Sequence, residues 1–158
     1  MRKSGKLKEE KKKTLMTVVD ASGLILGRLA SHVAKRILIG ENIVIINAEK
    51  AIITGSKKNI VERFKTRLGT KTFQSQKFAP VHARRPDRYV RRVIRGMLPW
   101  KKPRGKEAHS RVKVYNGVPY NYKDVKFLSI PEADGTKTFA QTTTLRRLAL
   151  EIGYHPVD

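Results

Sequence analysis

Residues Ile43-Val44-Ile45-Ile46 form an unbroken β-branched run with no polar alternation. A strand with one face in water alternates apolar and polar side chains; a strand without alternation must be covered on both faces, as in a parallel sheet. Parallel neighbours need crossover connections, so helical patterns are expected on either side. Upstream, Thr17-Val18-Val19-Asp20 reads as a strand ending in the turn residues Ala21-Ser22-Gly23. Leu29, Ala30, Val33, Ala34, Ile37 and Leu38 then repeat at helical spacing up to Gly40. Downstream, Ser56 is an N-cap candidate for a second helix carrying Ile60, Phe64 and Leu68 at i, i+4, i+8 and stopping at Gly69. Strand, helix, strand, helix is the order of βαβ units and predicts an α/β fold. Val112-Lys113-Val114-Tyr115, turning at Asn116-Gly117, is a further strand candidate. A last helix runs from near Thr144 through Leu145, Leu148, Ala149 and Ile152 to Gly153.

Charge divides the same chain differently. Over 158 residues the net charge is +22, against the roughly 2–8 that serves a small soluble domain. Residues 1–13 hold 7 basic and 2 acidic residues, and residues 63–113 hold 17 basic and 2 acidic, a net of +15. The other 94 residues hold 11 basic and 9 acidic, a net of +2. The expected organisation is therefore a flexible basic tail over 1–13 and one α/β domain over 14–158. That domain carries a basic excursion at about 63–113. Clustered charge of one sign points to a polyanionic partner rather than to general solvation.

Within the excursion, Pro86 suits a first helical position. Val90, Val93, Ile94 and Met97 fall at i, i+3, i+4, i+7, and so do Arg88, Arg91, Arg92 and Arg95. The two stripes are offset by two residues, about 200° around a helix. One face can dock on the body while four guanidinium groups face outward. A solvated helix face usually mixes signs at i, i+4, and this one does not. Arg84 and Arg85 precede the helix; Trp100, Lys101, Lys102, Arg104 and Lys106 follow it. Pro99, Pro103 and Gly105 predict a stiff loop there. Arg forks grip phosphate in pairs of bonds and Lys supplies point charge. Trp100, the single Trp, either stacks on an unpaired base or plugs the core beneath the loop. No zinc spacing, heptad or helix-turn-helix pattern appears, so recognition of folded RNA by shape and backbone is expected.

Other chemistry has little support. The absence of Cys excludes a disulfide scaffold and a thiolate metal site and suits a reducing compartment. The four histidines are scattered without metal-ligand spacing. The longest charge-free run, Val114 to Tyr122, is nine residues, far below the roughly 20 of a membrane helix. The basic N-terminus has no apolar run behind it and is not expected to be a secretory signal. Gly23 to Arg28 and Thr54-Gly55-Ser56-Lys57-Lys58 each open a helix as phosphate loops do, but neither has Walker spacing. They read as strand-to-helix turns. No catalytic residue, metal site, cofactor or small-molecule substrate is expected. Two alternatives stay open: a general DNA- or RNA-coating protein, and a nucleotide-binding enzyme built on those turns.

Five strings in order, Val19-Asp20-Ala21, Leu26-Gly27-Arg28-Leu29-Ala30-Ser31, Val44-Ile45-Ile46-Asn47-Ala48-Glu49-Lys50, Thr54-Gly55 and Arg95-Gly96-Met97-Leu98-Pro99, resemble the ribosomal protein L13 (uL13) family. The similarity runs from about Val18 to Tyr122, and its most specific part is Gly-Met-Leu-Pro inside an arginine-rich helix. Trp100-Lys101-Lys102-Pro103-Arg104-Gly105 looks like the archaeal and eukaryotic branch. The resemblance implies a three-layer α/β/α fold around a small, mainly parallel four-stranded sheet. It also implies a non-enzymatic, RNA-binding structural role in the large ribosomal subunit, in the cytoplasm. Its partners would be large-subunit rRNA and neighbouring ribosomal proteins. The family's RNA-facing helix and loop fall on Arg84 to Lys106, the segment that charge selects independently.

Overall fold

The structure is a computed structural model that describes residues 16–70, 80–123 and 125–156. The basic tail expected over 1–13 lies outside the described residues, as do 71–79 of the basic excursion. Four strands, β1 (Met16–Asp20), β2 (Asn42–Ile46), β4 (Val112–Val114) and β5 (Phe127–Leu128), form one sheet in the order β4-β2-β1-β5. All three pairings are parallel, with Val18 opposite both Val44 and Phe127, and Ile43 opposite Val112.

The unalternated run sits on the inner strand β2, and both of its faces are buried. Ile43 and Ile45 point into the larger core with Val19 and Val112. Val44 and Ile46 point the other way with Val18, beneath Tyr115 and Tyr122. The mainly parallel α/β sheet expected from the sequence is therefore present. Its two outer layers differ in thickness: helices on one face, the two tyrosines and the 3-10 turn Tyr120–Tyr122 on the other.

Helix α1 (Leu26–Ile39) buries Leu29, Ala30, Val33, Ala34 and Ile37 and ends at Gly40, whose φ of 115° favours glycine. Two guanidinium groups complete that end, Arg111 donating to the Ile37 carbonyl at 3.1 Å and Arg104 to that of Leu38 at 3.4 Å. Cations there satisfy orphan carbonyls and oppose the negative end of the helix dipole. Helix α2 (Lys57–Gly69) is capped by Ser56, whose hydroxyl oxygen accepts from the Asn59 N–H. Helix α5 (Leu145–Glu151) is capped by Thr144 in the same way, through the Arg147 N–H. A two-stranded antiparallel pair absent from the sequence reading, β3 (Ile52–Thr54) with β6 (Thr142–Thr144), leads into α2 and α5 respectively.

The two turns that superficially resemble phosphate loops are closed by the protein's own backbone. Gly23 donates to Lys50, and Ile25 to Ala133 at 2.7 Å; Gly135 in turn donates to Gly23. Gly55 donates to Gln141. These bonds tie both segments to neighbouring loops as strand-to-helix turns. Asp20, at the end of β1, accepts from the N–H and hydroxyl of Ser22 and from the Asn47 amide at 2.9 Å. This fixes Asn47 in its left-handed conformation, φ 53°.

Candidate nucleic-acid interface

Helix α3 (Pro86–Gly96) starts at Pro86, after Arg85 in extended backbone, and carries Asp87 in its first turn. Val90 and Ile94 are fully buried in the core, with Tyr89 and Val93 packed at its edge. The last apolar position differs from expectation. Met97 lies past the end of the helix and is 41% exposed, and Leu98 is buried in its place. Past Gly96 the turn tightens, Met97 donating to Ile94 and Leu98 to Arg95 three residues back, so the three-and-four spacing no longer fixes which side chain turns inward.

Opposite the buried face, Arg88, Arg91, Arg92 and Arg95 are exposed and line an open trough of about 690 Å³. Its other wall is the irregular segment Val81–Arg85, and His109 also lines it. Among the described residues, no carboxylate lines the trough. Arg92 donates to the carbonyl of Val81, tying wall to helix. Arg85 is held by Asp87, Nε to Oδ1 at 3.1 Å. Arg84 passes close to Gly153 beyond α5, where an added methyl group would sit 3.6 Å from its Nη1.

Trp100 is half-buried and does not plug the core. The Arg95 guanidinium lies 4.5 Å from its ring centroid, and the His109 ring meets it edge-on with centroids 5.2 Å apart. The indole is thus a half-buried platform for a guanidinium, an arrangement favoured by the negative ring face. Partial burial lowers the His109 pKa from its ordinary value; Arg91 and Arg95 push in the same direction, against a hydrogen-bonding contact with the Arg91 carbonyl at 3.4 Å. The same guanidinium groups that line the trough thus disfavour the charged form of His109.

The stiff loop expected over Leu98–Lys106 is half helix. Helix α4 (Pro103–Ser110) contains Arg104, Gly105 and Lys106. Pro103 occupies its first turn, where a missing N–H costs nothing, with Lys102 extended before it. Gly105 serves packing: a Cβ there would lie 2.2 Å from the Pro99 carbonyl oxygen. Residues that break a helix in its interior here begin one and bring it against the preceding turn. Of the candidate residues, Arg84, Arg85, Arg88, Arg91, Arg92 and Arg95 share the trough, with Trp100 under Arg95. Lys101, Lys102 and Lys106 are exposed outside its lining, and Arg104 caps α1.

Four contributors, Arg63, Arg67, His82 and His109, lie outside the candidate set. Arg67 and His82 line a small cleft with Tyr89 and Arg92, beside the trough. Burial raises the Tyr89 pKa, against the pull of Arg67 and Arg63. Arg63 and Arg67 stand at i, i+4, on the flank of α2 beside the apolar row of Ile60, Phe64 and Leu68, so the stripe logic applied to α3 finds them. His109 carries no comparable sequence signal.

Among the described residues, no group of His, Asp and Glu is placed to hold a metal ion, and no helix is long and apolar enough to cross a membrane. The model of the family described as "Ribosomal protein L13" matches residues 14–121. The chain is 49% identical to the large ribosomal subunit protein uL13 of Methanococcoides burtonii over 122 residues, which cover 77% of this chain and 86% of that protein. Its counterpart in Methanosarcina barkeri is 52% identical over 120 residues, 75% and 84% of the two chains. That of Methanocaldococcus jannaschii is 55% identical over 107 residues, 67% and 78%. These relatives are named as ribosomal proteins, a structural family rather than an enzymatic one. On sequence, fold and relatives together, the chain belongs to the ribosomal protein L13 family.

Proposed function

We propose that this protein is a structural constituent of the large ribosomal subunit, working in the cytoplasm, and that it clamps folded rRNA through the arginine trough. Other ribosomal proteins adjoin it there. The observation that carries the reading is helix α3, which buries Val90 and Ile94 and aligns four guanidinium groups along a trough that no carboxylate lines among the described residues. Guanidinium groups spaced along one helix face match a phosphate backbone, and the open trough accommodates a strand rather than a small molecule. Lys101, Lys102 and Lys106 extend the positive surface beyond it.

Contact with about 8–10 phosphates gives a log–log salt slope of roughly −6 to −9 for rRNA affinity. The test is the double reversal R88E/R91E, assayed for binding to large-subunit rRNA. Both residues are exposed, so circular dichroism should be unchanged while affinity falls at least about a hundredfold, with a shallower salt slope. Unchanged affinity would refute the trough as the interface. Preference for duplex DNA over rRNA in competition would instead favour a coating protein.

A further inference from the structure

A second cleft, of about 340 Å³, lies beside the trough, and Arg85 lines both. Its size falls within the range of small-ligand sites. Pro86 of α3 and Ala149 and Leu150 of α5 supply apolar surface, and Tyr154 an aromatic ring. Arg146 and Arg85 bring two guanidinium groups, and Glu49 is the one carboxylate among the described residues of the lining. One Glu49 oxygen, Oε2, accepts the Gly117 N–H at 3.0 Å. A carboxylate has about four acceptor positions, so Oε1 can take another donor.

We propose that this cleft receives one unpaired nucleotide of the RNA strand held in the arginine trough. The proposal rests on the reading of that trough as an RNA site. A nucleotide matches each part of the lining: a flat base for Tyr154 and Leu150, a phosphate for Arg85 and Arg146, and N–H donors for Glu49. Continuity through Arg85 lets one strand serve both sites. A peptide carboxylate would satisfy the guanidinium groups but would bring neither a flat base for Tyr154 nor an amino donor for Glu49. Glu49 also sets a preference. Adenine, cytosine and guanine carry exocyclic amino donors; uracil offers a single N3–H between two carbonyl oxygens that would face the carboxylate, so uridine is the poorest occupant.

Two measurements on the full chain test this. In the first, AMP, CMP, GMP, UMP and inorganic phosphate are titrated while the backbone amide signals of Ala149, Leu150 and Tyr154 are followed by NMR. The first three nucleotides should shift those signals saturably and UMP least, and L150W, which fills the cleft from a position 42% exposed, should abolish the shifts. If inorganic phosphate alone reproduces them, or no nucleotide does, the proposal is overturned. In the second, the protein–rRNA complex is crosslinked with ultraviolet light and the adducts are mapped. A nucleotide adduct at Tyr154, lost in L150W together with about 5- to 100-fold in affinity as for one stacked base, supports the proposal. Loss of rRNA binding in R88E/R91E, with adduct and affinity unchanged in L150W, overturns the cleft and leaves the trough standing. Full rRNA binding by R88E/R91E overturns both. A crosslink from Tyr154 to a neighbouring protein in assembled subunits makes the occupant a peptide and overturns the nucleotide.

Discussion

Arg95 and Trp100 act as one unit, because a guanidinium group resting on an indole face loses its alternative rotamers. Removing either partner should therefore weaken rRNA binding to a similar extent. R95A and W100A should each do so measurably, and the double variant should fall short of additivity by about 0.5–2 kcal/mol. W100F, which keeps an aromatic face, should recover most of the loss; additive single effects would separate the two residues. Asp20 governs a different property. Partial burial raises its pKa, but hydrogen bonds from Asn47 and Ser22, with Lys50 nearby, outweigh this and hold the carboxyl below its ordinary value. A lowered folded pKa means stability that is fully present above the unfolded value, roughly 4, and lost as pH falls through the folded one. Urea unfolding between pH 7 and 2 should show that loss in the wild type and a flatter acid limb in D20N. In the sequence Asp20 reads as the end of a strand and as part of one family string, neither of which names its partner; Asn47 lies 27 positions away, beyond any local pattern.

Helix α4 shows how an element can contradict its own composition. Pro103 and Gly105 carry opposite meanings in a helix interior and at a packed helix start, and position within the element decides between them. Replacing an interior helical Gly with Ala ordinarily stabilises by about 1 kcal/mol. At Gly105 the sign should reverse. The added Cβ meets the Pro99 backbone, and overpacking of this kind costs about 1–3 kcal/mol. Denaturant unfolding of G105A should show a lower midpoint at unchanged m-value, whereas a stabilised G105A would mean that the turn at Pro99 gives way. Helix α3 was legible because its two stripes obey one period. The inner strand β2 was legible because absence of alternation has one structural meaning. The short pair β3–β6 was not, since three-residue strands carry too little pattern to register.

At the scale of the whole chain, the net charge of +22 has opposite effects on the free and the bound protein. Without a polyanion, like charges repel in the folded state, and salt screens them. Raising salt from 20 to 200 mM should therefore increase the Tm of the free protein by several degrees while lowering its rRNA affinity; a Tm that falls with salt would show that exposed ion pairs, such as Lys57 with Glu151, outweigh the repulsion. The sequence by itself determined the parallel α/β sheet, the helix with opposed apolar and arginine faces, and the concentration of charge in one segment. These follow from local periodicity and counting, which survive without knowledge of distant contacts. Only the tertiary structure decided that Arg104 caps α1 rather than joining the trough, that Trp100 supports Arg95, and that Arg85 joins two clefts. Each depends on side chains from separate elements meeting in space, and a guanidinium group reads the same in sequence whether it meets a carbonyl, an indole or open solvent.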